Sequence, residues 1–313
     1  MWVPYNLLSP LKAESPKPAI LASEAATNER DFVVGFFLRN PVTRSWETDV
    51  LVSASDRDEQ ITIDGRQGTM QASGNRSGKL EEIIYTLPAK GAVPALAACH
   101  EHVVKRLDEM ILQYGRGIEL VGWRVADIEH GARWRCIPFR PSALEASSYV
   151  HDIRPAYDEV LRLYREARCT TSARWRLICA GAILDAVVAG REPFGIDGGQ
   201  ELVNHGVPPV TNDMLIRSNA IIAHPHLKGA TVVEVRDLVE PRRQALLAAL
   251  AISGKGEFVT ESGYSYESAL AALANLADLM ARDLILASLR ARGYLEAVVA
   301  DVECEPLELA GLS

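Results

Sequence analysis

The period of the hydrophobic pattern changes once along this chain, and that change restricts the fold more than any single motif. From Asp31 to about Arg140, apolar residues come in short runs rich in β-branched and aromatic side chains, cut by Gly, Pro, Asn and Asp. Such runs specify strands. Beyond about Ser148 they recur at three- and four-residue spacing, the period of helices that bury one face. The pattern predicts an α+β chain. Residues 1–148 form an amino-terminal α+β domain with short antiparallel strands and one helix, and residues 149–313 form an all-α helical bundle. The length of 313 residues suits two domains of roughly 100 to 200 residues each.

In the first half, Phe32–Leu38 reads as a buried strand ended by Asn40-Pro41. Asp49–Ser53 and Gln60–Ile63 follow, the latter closed by Asp64-Gly65. Ala95–Tyr114 places Val103, Leu107, Met110, Ile111 and Tyr114 on one helical face, with Gly115 and Gly117 as the stop. Glu119–Ile128 and Arg133–Phe139 form a hairpin, and the polar stretch from Arg140 to Ser148 is the linker. Helices are then expected over Pro155–Ala167, from a Ser172 cap through Val188, and over Asn212–Ala223 behind a Thr211 cap. A capping box from Thr231 to Glu234 opens a fourth, with a kink or restart at Pro241 before Gln244–Ile252. Ser265 caps a long helix, Tyr266–Arg292, whose apolar stripe of Leu270, Leu273, Leu276, Leu279, Met280 and Leu284 packs either on the bundle or on a second subunit.

A formal net charge of -8 excludes the overall basic field of a protein that grips a long duplex nonspecifically. The five cysteines are scattered and form no CxxC pair, so free thiols in a reducing cytosol are expected. The first residues lack a basic and then apolar leader, and no apolar run reaches the roughly 18 residues of a membrane span, so the expectation is a soluble, cytoplasmic protein.

The segment richest in chemistry is Leu215–Pro225. On a continuous helix of about 3.6 residues per turn, Arg217 and His224, seven apart, project from nearly one face. A guanidinium there binds a phosphodiester and an imidazole moves a proton to or from a ribose hydroxyl, with no metal required. The plainer alternative is an Arg paired with a nearby acid and a His that satisfies the last carbonyls of its helix. Arg168, Arg174 and Arg176, with Trp175 among them, could hold RNA phosphates while the indole stacks on a base, or could be a salt-bridged face neutralised by Asp158, Glu159 and Glu166. Cys99-His100-Glu101-His102 does not read as a metal site, because on a helix His100 and His102 point about 200° apart. Ser73–Leu80 is one residue short of a phosphate loop and ends without its Ser or Thr, so it reads as a turn. The loop holding Gly195–Gly199 and His205–Pro209 is either a lid over Arg217 and His224 or an ordinary connection. No HExxH, GxSxG elbow or dinucleotide fingerprint is present.

The Arg-to-His segment near the start of the third helix resembles the signature of HEPN domains. That resemblance implies a helical ribonuclease module that pairs as a homodimer and cuts single-stranded RNA without metal or other cofactor. Arg217 and His224 take the family's motif positions, and Asn219 would orient the phosphate or the His; the family's polar residue directly after the Arg is here Ser218. The whole chain, a β-containing half followed by a helical half, also resembles the methylamine utilization protein MauJ family. That likeness implies a genetic context and no mechanism. Two functions follow: an endoribonuclease using Arg217, His224 and Asn219, or a noncatalytic accessory protein that binds a nucleotide or a partner.

Overall fold

The computed structural model describes residues 12–43, 47–52, 59–136, 155–194, 209–250 and 263–293. The α+β class expected from the change of period is what the chain adopts. Contacts divide it into two units. One holds the sheet, its helices and the last helix up to Ala272; the other holds the helices from Pro155 onward together with the last helix from Leu273.

In the sheet unit, seven strands pair antiparallel throughout: β1 (Lys12–Ala13), β2 (Arg30–Arg39), β3 (Glu59–Ile63), β4 (Arg66–Gly74), β5 (Leu80–Ala89), β6 (Glu119–Asp127) and β7 (Ala132–Cys136). Their order is β1-β7-β6-β2-β5-β4-β3. Asp64 and Gly65, both at positive φ, make the tight β3–β4 turn that the Asp-Gly pair signals. The Ser73–Leu80 segment is the β4–β5 turn, in which the Asn75 side chain accepts from the backbone N–H of Ser77 and Lys79. β4 itself carries no clear strand signal, since Met70 is its one buried residue; hydrogen bonding to β3 and β5 on both edges makes it a strand. The expected strand at Asp49–Ser53 reduces to a single bridge between Leu51 and Lys79 among the described residues. The linker from Arg140 to Ser148 lies outside them, as does the loop over 195–208.

Alternation along β2 sends Phe32, Val34, Phe36 and Leu38, all fully buried, to one face. The helix α2 (Ala92–Tyr114) covers that face with Leu96, Cys99, Val103 and Leu107, and ends at Gly115 in the left-handed region. On the other face Arg124 makes a bidentate pair with Glu82, 2.6 and 2.9 Å, across Gly35; a Cβ there would collide with Glu82 Oε1. A buried cluster ties the end of α1 (Lys17–Ala25) to β2 and β6. Arg30 Nε donates to Asp127 Oδ2 at 2.7 Å, the Ser23 hydroxyl donates to the same oxygen, and the Arg30 Nη2 group reaches the Ser23 carbonyl.

The second unit holds a 3-10 turn (Pro155–Tyr157), α3 (Asp158–Cys169), α4 (Ala173–Val188), α5 (Asn212–Arg217), α6 (Ala220–Ala223), a second 3-10 turn (Pro225–Leu227), α7 (Val232–Leu250) and the Leu273–Ala291 part of α8 (Tyr264–Ala291). The Ser172 cap and the Thr231/Glu234 capping box form as expected. Of the kink or restart expected at Pro241, the restart does not occur: α7 continues through the proline. Gly181 of α4 lets Val239 and Arg243, on either side of the proline, approach to where a Cβ would sit 2.8 and 3.1 Å away. The stripe on α8 is buried within the single chain, every member at most 3% exposed, so it is not available to a second subunit.

Burial raises the Asp127 carboxyl pKa, but hydrogen bonds from Ser23, Arg30 and His130 outweigh it and bring the group to about 2. Its folded value lies below its unfolded one, so the stabilisation is present above about pH 4 and is lost as pH falls toward 2. It amounts to about 2 kcal/mol. Asp127→Asn is expected to lower the melting temperature at pH 7 and to flatten the loss of stability between pH 4 and pH 2, measured by thermal melts across that range.

Candidate functional site

The Arg217–His224 segment starts as its sequence suggests and then departs from it. The Thr211 hydroxyl caps α5 by accepting from Met214 N at 3.1 Å. The helix stops at Arg217. Ser218, fully buried, donates its hydroxyl to the Leu215 carbonyl and accepts from Ala220 N, and Asn219 follows at φ +63. A left-handed residue interrupts the helical path between α5 and α6. The expected single helix over 212–223 is therefore two short ones, and the seven-residue spacing no longer places Arg217 and His224 on a common face. Arg217 Nη1 donates to Asp213 Oδ2 at 3.0 Å, one turn back on its own helix. His224 is 5% exposed, with its ring edge-on to His226 at 6.0 Å. The mechanism implied by the HEPN resemblance needs an imidazole open to a ribose hydroxyl, and among the described residues His224 is buried.

The arginine cluster also sorts differently from expectation. Arg176 is 1% exposed: Nε donates to the Ala167 carbonyl at 3.0 Å, Nη2 to the Thr170 carbonyl at 3.1 Å and Nη1 to Asn275 Oδ1 at 2.7 Å. Arg168 Nη1 donates to Asp278 Oδ2 at 2.6 Å. Arg176 is a buried cation held by its partners within the fold, and Arg168 is half-buried in its pair with Asp278. Burial brings Arg176 down to about 10 against the pull of Asp278, which leaves it charged at neutral pH. Asp278 is raised by its own burial, with Arg168 and Arg176 opposing. Of the four nominated residues Trp175 is exposed, at 41%, Arg168 and Arg174 are half-buried, and Arg176 is buried.

Asn275 completes the network. Its amide donates onward to the Ser218 carbonyl, so Arg176 of α4 and Asn275 of α8 support the point at which the α5–α6 chain breaks. Sequence reading missed both Asn275 and Asp278, although the signal was there. They interrupt the leucine stripe three residues apart, and a polar pair on the buried face of a helix asks for partners.

In the sheet unit, α2 carries a second constellation. His100 and His102 face different neighbours, as helical geometry requires. The His100 ring lies edge-on to Trp123 at 6.2 Å and Tyr264 at 5.6 Å, while His102 Nδ1 sits 3.0 Å from the Tyr85 hydroxyl. Burial lowers both imidazole pKa values, so both are neutral at pH 7. Among the described residues no group of three metal-ligating side chains converges. One turn beyond His102, Arg106 bridges Glu59 at 2.9 Å and Glu109 at 3.2 Å. These three stand at the mouth of a cavity of about 340 Å³ between the last turns of α2 and the β3–β5 end of the sheet. Val50, Val52, Met70, Ala72, Ile83 and Met110 make its apolar lining.

The sheet unit coincides with the reach of a known domain. The family described as methylamine utilization protein MauJ, N-terminal domain, matches residues 5–136. Over nearly the whole chain, 305 residues are 36% identical to the methylamine utilization protein MauJ of Methylorubrum extorquens, covering 96% of this chain and 100% of that one. The chain belongs to the MauJ family. MauJ of Paracoccus versutus is 36% identical over 292 residues and that of Paracoccus denitrificans 35% over 294, each covering 93% of this chain and 96% of the relative. No solved structure matches the chain significantly. Of the two resemblances read from the sequence, the whole-chain likeness to MauJ is the one these relatives bear out.

If Arg176 is a core residue of this MauJ-family fold, Arg176→Met should cost roughly 3 kcal/mol or more, because it leaves Asn275 and two carbonyls without their donor. Trp175→Ala, one residue away, should stay within about 0.5 kcal/mol of the parent if the indole is a surface group. Chemical denaturation of the two variants side by side checks both.

Proposed function

We propose that this chain is a noncatalytic cytoplasmic accessory protein of methylamine utilization that acts by binding a small molecule or a protein partner. The observation that carries the reading is the end-to-end identity with proteins of that name. Two further observations support it. The side chains nominated for ribonuclease chemistry are engaged by the fold, Arg217 by Asp213 and His224 by burial. A concavity beside the end of α2 combines apolar residues such as Met70, Ala72 and Ile83 with the charged Glu59, Arg106 and Glu109, a mixture that suits recognition. Cys99, Cys136 and Cys179 are buried free thiols, which suits a reducing compartment.

Deleting the gene in its own host tests this directly. Growth with methylamine as the sole nitrogen source is expected to slow, growth on ammonium to be unchanged, and the chain supplied in trans to restore the former. The competing endoribonuclease reading predicts that the purified protein cleaves single-stranded RNA and that His224→Ala abolishes cleavage. The accessory reading expects no cleavage by either form, and His224-dependent cleavage would displace it.

A further inference from the structure

At the β6–β7 turn, Asp127 and His130 form a carboxylate–imidazole pair that the anchoring of α1 does not account for. Asp127 is 1% exposed and, ionised, can only accept: Oδ2 receives the Ser23 hydroxyl and Arg30 Nε, and Oδ1 receives the backbone N–H of His130 at 3.1 Å. His130 Nδ1, 3.0 Å from Oδ2, therefore carries a proton. That fixes the tautomer of the neutral ring. Nε2, on the opposite side, keeps its lone pair, has no hydrogen-bond partner among the described residues and is not buried, the side chain being 21% exposed. The other described imidazoles differ. His100 and His224 are buried and His102 faces the Tyr85 hydroxyl, while His226 is exposed, its ring against His224 and no carboxylate bonded to it among the described residues.

A ring nitrogen that attacks an electrophile leaves a positive charge on the imidazole. At His130 that charge develops against Asp127 through the Nδ1–H, in a hydrogen bond already in place before the reaction. Against its burial, hydrogen bonds from Ser23 and Arg30 hold the Asp127 carboxyl at about 2, so it is charged when the ring reacts. We propose that His130 is a phosphorylation site, its Nε2 accepting a phosphoryl group from a donor of the phosphoramidate class. The Nε2–P bond forms as the donor's P–N bond breaks; the donor nitrogen, already protonated, leaves with the electron pair of that bond as the free amine or ammonia, and Nδ1 keeps its proton against Asp127. The inference goes beyond the accessory reading and does not depend on it. A phosphoryl group here gives the turn a labile negative charge beside the anchor of α1, a form suited to switching a contact on and off.

Incubating the full chain with potassium phosphoramidate, and following phosphohistidine at each site by alkaline peptide mapping, tests the proposal with His226 as the internal reference. Exposure alone favours His226; the bond to Asp127 favours His130. His130 is expected to react roughly tenfold faster than His226 or more, with the phosphorus on Nε2 by phosphorus NMR. Asp127→Asn should bring His130 down to the rate of His226 while leaving His226 unchanged. Should that variant fold poorly, the parent chain in urea carries the same comparison, since unfolding separates the pair and should erase the difference. A folded parent in which His130 reacts no faster than His226, attachment at Nδ1, or a preference that survives Asp127→Asn or urea overturns it.

Discussion

Val103, Leu107 and Leu96 of α2 lie against the fully buried face of β2 and β5, and this contact between one helix and the centre of the sheet is what the sheet unit rests on. The hydrophobic effect makes it favourable at about 25 cal/mol per Å² of apolar surface removed from water. It also fixes the rotation of the helix. Once Cys99 and Val103 point inward, His100 must face Trp123 and Tyr264, and His102 must face Tyr85. Arg106 and Glu109 then fall on the seam that borders β3, where Glu59 meets them.

The helical unit is organised by polar groups set inside an apolar surface. α8 buries a leucine stripe, and within that stripe Asn275 and Asp278 receive Arg176 and Arg168 from the α3–α4 region. Leaving any one of these groups buried without its partners would cost more than the pair contributes when formed, so the network selects one arrangement of helices over its near alternatives. It also reaches the α5–α6 break through the Ser218 carbonyl. Two of the charges nominated for a nucleic-acid surface, Arg168 and Arg176, are in this way part of the fold.

Much of the fold was legible because its signals are local. The Thr231/Glu234 capping box, the Thr211 and Ser172 caps, the glycine stop at Gly115 and the Asp64-Gly65 turn each concern residues within four positions of one another, and each forms. β4 was not legible, since its residues are mostly polar and it is a strand only because of its neighbours. The site fared similarly. Arg217 and His224 were placed on one helix by periodicity, and periodicity does not register that Ser218 and Asn219 interrupt the helix between them.

By itself the sequence determined the change from strand to helix, the caps and turns, the opposed directions of His100 and His102, and the family to which the chain belongs. Those follow from the spacing of side chains along a backbone of fixed geometry, or from identity spread over the whole length. Only the tertiary structure decided which arginines are buried, where the α5–α6 chain breaks, and that Glu59 joins Arg106 and Glu109 at the mouth of a cavity. Each of these depends on a partner 47 or more residues away, Glu59 for Arg106, Asn275 for Arg176 and for the Ser218 carbonyl, and no local period encodes which distant groups will meet.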